Sequence, residues 1–191
     1  MIRKFIQQSW FALVAMAIFG MSLAAVDGQL KETIEGNALK KLSDQMRLLL
    51  PEAKTFDKKS SRDAQGVEYI YYAGNDESGQ VVGYVFEARG SGFADVIVLL
   101  VAADASMSTL KGLAILQTNE TPGFGDKMKD DAFKGQFLDC PIGEKLTVAK
   151  TGDRMVKDRE IVAISGATIT SEAVVKAVNE AIERMRGIIG K

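Results

Sequence analysis

The sequence predicts an α/β chain of the α+β type, in which one domain with a mixed, largely antiparallel sheet and flanking helices follows a transmembrane helix. Apolar, β-branched runs separated by turn-forming residues fill the middle of the chain, which is typical of strands paired as hairpins. Near the C-terminus apolar residues recur every three or four positions, which indicates an amphipathic helix. Near the N-terminus the 18 residues 9–26 carry no charge, close to the roughly 20 that span a bilayer.

The N-terminal segment predicts a membrane anchor over residues 1–27. Arg3 and Lys4 precede the uncharged run, and positive residues there favour an N-terminus inside, with residues 28–191 outside the cytoplasm. A cleaved signal peptide is the alternative, because residues 22–24 offer small side chains for cleavage. We favour a retained anchor, because apolar residues continue at helical spacing beyond the run. They are Leu30, Ile34, Ala38, Leu42, Met46 and Leu49.

The remaining elements are predicted in chain order. Residues 28–50 form a helix that Pro51 closes, and residues 54–66 form a charged loop. Turn-forming residues 75–79 join the first two strands as a hairpin. The predicted strands of one sheet are residues 68–72, 80–88, 95–102, 110–117, 145–149 and 160–164, with a short helix near residues 128–137 between the fourth and the fifth. The C-terminal helix buries Ala173, Val174, Ala177, Val178, Ala181, Ile182 and Met185.

Composition excludes several classes of function. With 24 Lys and Arg against 25 Asp and Glu, the net charge of −1 lacks the positive excess of a nucleic-acid-binding protein. The sequence contains no histidine, which excludes Ser-His, Cys-His and His-metal mechanisms. The single cysteine, Cys140, cannot form an internal disulfide or hold an iron-sulfur cluster, and we expect it to be a small packing residue. We therefore expect no catalytic residue and no metal site, and any redox chemistry requires a bound cofactor.

The first candidate site is the segment from Ser165 to Thr170, between a predicted strand and the C-terminal helix. Small residues at Gly166 and Ala167 allow a phosphate close to the backbone, where the helix N-terminus favours an anion. The hydroxyls of Ser165, Thr168 and Thr170 add hydrogen bonds or a point of attachment. Physical chemistry alone favours an ordinary helix cap after a tight glycine turn.

The second candidate site follows the fourth strand. Pro-Gly at positions 122 and 123 fixes a turn, and Gly123 and Gly125 leave room for a flat ligand against the backbone. Glu120 can accept hydrogen bonds from a ligand, and Thr121 can donate one. Taken alone, the segment is better explained as a turn with a solvated glutamate.

A third glycine-rich stretch covers residues 89–93. It lies between two predicted strands instead of before a helix, so it lacks the context of a nucleotide-binding loop. A hairpin loop or a bulge explains it better.

Taken together, the N-terminal anchor, residues 120–125 and residues 165–171 resemble the family of FMN-binding domains that carry the flavin covalently on a threonine. Over essentially the whole chain, length and segment order are similar to those of the G subunits of Rnf electron-transport complexes. The resemblance implies that a separate flavin transferase, acting outside the cytoplasm, esterifies the FMN phosphate to Thr168. Physical chemistry alone does not decide whether Thr168 or Thr170 is the point of attachment. It also implies that the cofactor is bound by Ser165, Gly166, Ala167, Thr170, Glu120, Thr121 and Gly123.

The resemblance also implies a function. The chain would be a single-pass flavoprotein of the cytoplasmic membrane with its FMN domain outside, relaying electrons in a translocase that couples ferredoxin:NAD electron transfer to Na⁺ or H⁺ movement. It would act with the other subunits of the complex and have no complete active site of its own. One alternative is a subunit of a Na⁺-translocating NADH:quinone reductase or a stand-alone flavinylated carrier. Another is a cofactor-free, membrane-tethered assembly or binding module, in which both motifs are only turns.

Overall fold

A computed structural model describes residues 2–62 and 66–190 of the chain, without the side chains at 2–9, 24, 27–29, 31–33 and 35. Helix α1 covers Ile2–Leu49, which confirms a helix that ends just before Pro51. The chain divides into two compact units, Met1–Ser43 and Asp44–Lys191. Among the described residues, no helix is long and apolar enough to cross a membrane. The predicted anchor includes positions 3, 4, 9 and 24, whose side chains lie outside the described residues.

A five-stranded antiparallel sheet forms the centre of the second unit. Its strands are β1 Thr55–Arg62, β2 Glu68–Asn75, β3 Val81–Ser91, β4 Val96–Asp104 and β5 Leu110–Gln117. Each strand pairs with the next in the order β1-β2-β3-β4-β5, so the sheet is a meander. The hairpin predicted at residues 75–79 is confirmed, and Gly79 occupies its turn at φ +79°. The expected antiparallel arrangement is therefore correct.

The prediction of a charged loop over residues 54–66 is wrong for most of that segment. Residues Thr55–Arg62 form the edge strand β1, paired with β2 from Thr55 opposite Asn75 to Arg62 opposite Glu68. Most of its side chains are exposed on both faces, so the strand shows no alternation of apolar and polar residues. Charged residues on an edge strand are common because they oppose pairing with other chains.

The last two strands do not join the main sheet, contrary to the prediction. Strands β6 Thr147–Ala149 and β7 Glu160–Val162 form a separate parallel pair. The buried side-chain amide of Gln136 donates to the Val162 carbonyl at 3.2 Å and accepts from its N–H at 2.8 Å. The Gln136 amide thus occupies the edge of β7 at which a further strand would pair. A contact between residues so far apart in the chain leaves no periodic pattern in the sequence.

The segment between β5 and β6 is more broken than the single short helix predicted. It contains a 3₁₀ turn at Gly125–Lys129, a one-turn helix α2 at Asp131–Lys134, and a second 3₁₀ turn at Gly135–Phe137. The segment is anchored by buried side chains. They are Met128, Phe133, Gln136 and Phe137.

Helix α3, Thr168–Ile189, covers one face of the five-stranded sheet with the apolar residues that its periodicity predicts. It approaches β3 closely at Gly90, where a Cβ would lie 2.9 Å from the Ala173 carbonyl oxygen. On the opposite face of the sheet, Leu50 packs against Gly83 of β3. A Cβ at Gly83 would lie 3.0 and 3.1 Å from the two methyl groups of Leu50. The neighbouring strand β4 has side chains buried on both faces of the sheet.

Candidate functional site

A cavity of about 480 Å³ opens where the loop after β3, the turn after β5 and the first turn of α3 meet. This volume is within the usual range for small-molecule sites. The lining residues are Phe93, Glu120, Thr121, Phe124, Gly125, Gly166, Ala167, Thr168, Ile169 and Thr170. The fold therefore brings together the two segments that the sequence analysis singled out. Gly123 and Ser165 do not line the cavity; Gly123 forms an exposed turn at φ +79°, and Ser165 faces a smaller cavity beside Lys127 and Arg154.

The start of α3 provides an uncapped helix N-terminus beside the cavity. Gly166 makes the turn after β7 at φ +81°, a conformation that L side chains rarely adopt. The cap residue is Ala167, and no side chain of the described residues caps the helix there. The tight glycine turn of the alternative interpretation is therefore confirmed, but none of the hydroxyls of the segment caps the helix in the described residues. The first N–H groups of the helix remain available to an anion, which the helix dipole favours.

Ser171 fixes this junction and was not predicted as a site residue. Its fully buried hydroxyl donates to the Ala167 carbonyl at 2.9 Å and accepts from the Ile164 N–H at 3.0 Å. The end of the strand segment and the start of the helix are thus joined through one oxygen atom. A serine in the first turn of a helix is too common for its sequence position to reveal this bridge.

The two candidate threonines differ in what their hydroxyls do. The Thr168 side chain is half-buried at the cavity and has no hydrogen-bond partner in the described part of the chain. Thr170 is 1% exposed, and its hydroxyl donates to Glu120 Oε2 at 2.6 Å. One hydroxyl is therefore available to a ligand, whereas the other is committed to an internal hydrogen bond.

Glu120 is a buried carboxylate, 6% exposed, rather than a solvated one. Its Oε1 accepts from the Ala94 N–H at 2.9 Å, while Oε2 accepts from Thr170. Burial raises the pKa of this carboxyl, but the hydrogen bonds from Thr170 and from the backbone at Ala94 and Asp95 outweigh it and hold the pKa below its usual value. We expected these oxygens to face a ligand; they accept hydrogen bonds from the protein itself.

Two glycines make room for this carboxylate. A Cβ at Gly125 would lie 2.5 Å from Glu120 Oε2 and 2.9 Å from Thr170 Oγ1. A Cβ at Gly92 would overlap Glu120 Oε1 and lie 2.8 Å from Ile97 Cδ1. Gly125, which we expected to leave space for a flat ligand, therefore leaves space for the glutamate.

Large apolar side chains stand exposed around the cavity. Phe93 is 67% exposed, Ile169 55% and Phe124 54%. Exposed apolar residues gathered at one concave place mark binding surfaces. Phe124 belongs to the second segment that the sequence analysis singled out. Phe93 was not predicted as a site residue, because its loop has the pattern of a hairpin connection.

The chain supplies little reactive chemistry of its own. Cys140 is fully buried, its thiol donates to the Asp158 carbonyl at 2.8 Å, and burial raises its pKa to about 11. These properties confirm a packing role and oppose a reactive thiolate. Within residues 2–62 and 66–190, no group of three or more His, Cys, Asp or Glu side chains could hold a metal ion.

Comparison with known proteins gives consistent results. The profile of the FMN-binding domain matches residues 92–183, which include both candidate segments. The G subunit of the ion-translocating oxidoreductase complex of Methanosarcina acetivorans is 33% identical over 173 residues, covering 89% of this chain and 86% of that protein. The G subunit of the proton-translocating ferredoxin:NAD(+) oxidoreductase complex of Clostridium ljungdahlii is 32% identical, covering 96% of each. In fold, the crystal structure of Shewanella oneidensis NqrC is similar, with a TM-score of 0.57 at 21% identity, covering 73% of this chain and 70% of that one.

Proposed function

Since the chain belongs to the family of G subunits of ion-translocating oxidoreductase complexes, with their FMN-binding domain, we propose that it relays electrons through a covalently bound FMN in such a complex. The reaction is electron transfer between ferredoxin and NAD coupled to ion translocation, as the name of the Clostridium relative states. One observation carries the proposal: the cavity joins residues 120–125 to the start of α3. A quinone-reductase subunit, the alternative from the sequence, shares the fold, as the likeness to NqrC shows.

The residues around the cavity fit FMN in two respects. The uncapped start of α3 suits a phosphate, because the helix dipole and the first N–H groups favour negative charge. The exposed rings of Phe93 and Phe124 suit the flat, apolar faces of the flavin ring. FMN supplies the electron-transfer chemistry when bound, while the chain binds the cofactor, orients it and limits its contact with water.

We assign the point of attachment to Thr168, through a phosphoester made by a flavin transferase. The Thr168 hydroxyl is half-buried at the cavity without a partner in the described residues, whereas the Thr170 hydroxyl is bound to Glu120. The ester leaves a singly charged phosphodiester at the helix start, where the dipole contributes roughly 0.3–1 kcal/mol. This difference between the two hydroxyls supports the choice that the family resemblance implies.

Co-expression of the full chain with an active flavin transferase tests the attachment. We expect the wild type to gain the mass of one FMN less one water and to fluoresce in a denaturing gel. Thr168→Val removes both signals, while Thr170→Val is the matched control and keeps the adduct. Attachment that survives in Thr168→Val and disappears in Thr170→Val would move the site to Thr170. A wild type without an adduct would refute the flavoprotein proposal.

The proposal places residues 28–191 outside the cytoplasm, held by the uncharged segment 9–26 behind Arg3 and Lys4. On that side a covalent link prevents loss of the flavin to the surroundings. A phosphatase reporter fused after Lys191 should be active, while a reporter that works only in the cytoplasm should not. Activity of the cytoplasmic reporter alone would contradict the orientation, and a mature N-terminus near Ala25 would contradict the retained anchor.

A further inference from the structure

One buried carboxylate joins three separate segments at the mouth of the cavity. Glu120 follows β5, Ala94 lies in the loop between β3 and β4, and Thr170 lies in the first turn of α3. Hydrogen bonds of 2.9 Å from the Ala94 N–H and 2.6 Å from the Thr170 hydroxyl converge on the two carboxylate oxygens. We call Glu120 with these two donors the carboxylate staple.

The two exposed rings at the cavity are each attached next to a contact of the staple. Phe93 directly precedes Ala94, whose N–H is a donor to Glu120. Phe124 directly precedes Gly125, whose Cα lies so near Glu120 Oε2 that a Cβ would approach it to 2.5 Å. Both rings are more than half exposed, so few packing contacts hold them and the backbone beside each ring is what the staple contacts.

We propose that Glu120 is a positioning residue whose staple sets the separation of the Phe93 and Phe124 rings and thereby the orientation of the flavin ring at the cavity. The orientation of the flavin ring rests on the proposed function, whereas the separation of the two aromatic rings does not. The role requires no contact between the carboxylate and the cofactor, since it acts through the hydrogen bonds from Ala94 and Thr170.

The staple depends on the two acceptor atoms of the side chain. An ionised carboxylate accepts at both oxygens, and hydrogen bonds to a charged acceptor are roughly twice as strong as neutral ones. In Glu120→Gln the amide oxygen can still accept from Ala94, and the Thr170 hydroxyl can accept from the NH₂ group, so both contacts remain and only the charge is lost. Glu120→Ala removes both acceptors and therefore both arms of the staple.

The first test uses the flavin-free protein, produced without a transferase. Amide hydrogen exchange at Ala94 should accelerate by about tenfold or more in Glu120→Ala, as expected when a hydrogen bond to a charged acceptor is lost. Thr170→Val, which removes the other donor and keeps the acceptor of the Ala94 N–H, should give a smaller increase. Glu172→Ala is the matched control, because it removes an exposed carboxylate from the same helix turn. Unchanged exchange at Ala94 in Glu120→Ala would overturn the staple.

The second test uses the flavinylated protein. Glu120→Ala should retain one FMN per chain by mass, while the visible circular dichroism of the flavin weakens and its fluorescence anisotropy falls. Glu172→Ala should leave both signals as in the wild type. Faster exchange at Ala94 with unchanged dichroism and anisotropy would overturn the role in orienting the flavin. Failure of the wild type to acquire FMN would refute the proposed function, and the exchange experiment would still decide whether the staple exists.

Discussion

Two cavities of similar size lie along α3, and their chemistry is opposite. The site cavity, of about 480 Å³, has an apolar rim and a single ionisable side chain, that of Glu120. A groove of about 430 Å³ lies farther along the helix. Its lining includes four charged residues, Glu87, Arg89, Glu180 and Arg184. Volume alone therefore does not distinguish the candidate site from the groove.

The difference lies in which polar groups already have partners. In the groove, Arg89 is paired with Glu87, the Tyr69 hydroxyl donates to the Glu87 carbonyl, and Arg184 lies over the Tyr69 ring at 5.0 Å. At the site cavity, the Thr168 hydroxyl has no partner in the described residues and the helix start has no side-chain cap. A binding site is thus better recognised by unsatisfied groups at an apolar wall than by its size.

The largest effect should come from removing an aromatic wall. In flavinylated protein, Phe124→Ala should abolish most of the visible circular dichroism of the flavin, because the ring loses an apolar surface to pack against. Ile70→Ala, at the charged groove, should leave that dichroism unchanged. If both variants gave the same signal, the distinction between the cavities would fail.

Crowding the staple should destabilise the fold. Gly125→Ala forces a methyl group against Glu120 and Thr170 and should lower the free energy of unfolding by about 1–3 kcal/mol, as overpacking does. Gly135→Ala is the matched control, because nothing lies within 4 Å of its added Cβ. Thermal unfolding of the two flavin-free variants measures the difference. Equal melting temperatures of the two variants would show that the structure around Glu120 accommodates the added methyl group without loss of stability.

A change in the groove should affect stability and not the flavin. Tyr69→Phe removes the hydrogen bond to the Glu87 carbonyl and should reduce the free energy of unfolding by about 0.5–1.5 kcal/mol. Denaturant unfolding gives this value, and the flavin spectrum and reduction potential should stay as in the wild type. A shifted potential would connect the groove to the site and weaken the comparison.

The smallest effect concerns acid. The pKa of Glu120 is lower in the folded chain than its ordinary value of 4.5, so its contribution is fully present above that value and is lost as pH falls through the folded-state pKa. Melting temperatures of wild type and Glu120→Gln, measured from about pH 6 to about pH 3, should therefore converge at the acid end. A constant gap between the two curves would contradict the lowered pKa.

Sequence patterns predicted the elements whose burial is periodic. Helix α3 and strands β2 to β5 follow from apolar spacing, because one or both of their faces meet the core. Strand β1 was missed because backbone pairing holds it and few of its side chains are buried. Strands β6 and β7 were predicted as strands but not as a separate pair, because the contact of the Gln136 amide with the edge of β7 joins residues far apart in the chain.

The sequence predicted which segments come together at the site better than it predicted what their individual side chains do there. Most residues of the segments 120–125 and 165–170 line one cavity, Thr168 and Thr170 among them, whereas Gly123 and Ser165 do not. That Glu120 bonds to Ala94 and Thr170 could not be read from spacing, since the three residues are far apart in the chain. The same holds for the aromatic wall at Phe93, whose loop carries no signal beyond that of a turn.

The side chain of Gln136 has a consequence for the polar groups of the protein interior. Val162 and Gln136 are both buried, so the backbone N–H and C=O of Val162 are shielded from water. A buried backbone group without a partner costs about 1–3 kcal/mol. The amide of Gln136 satisfies both groups at once. A single buried glutamine thus replaces the neighbouring strand that would otherwise satisfy the backbone just before the turn to Thr168.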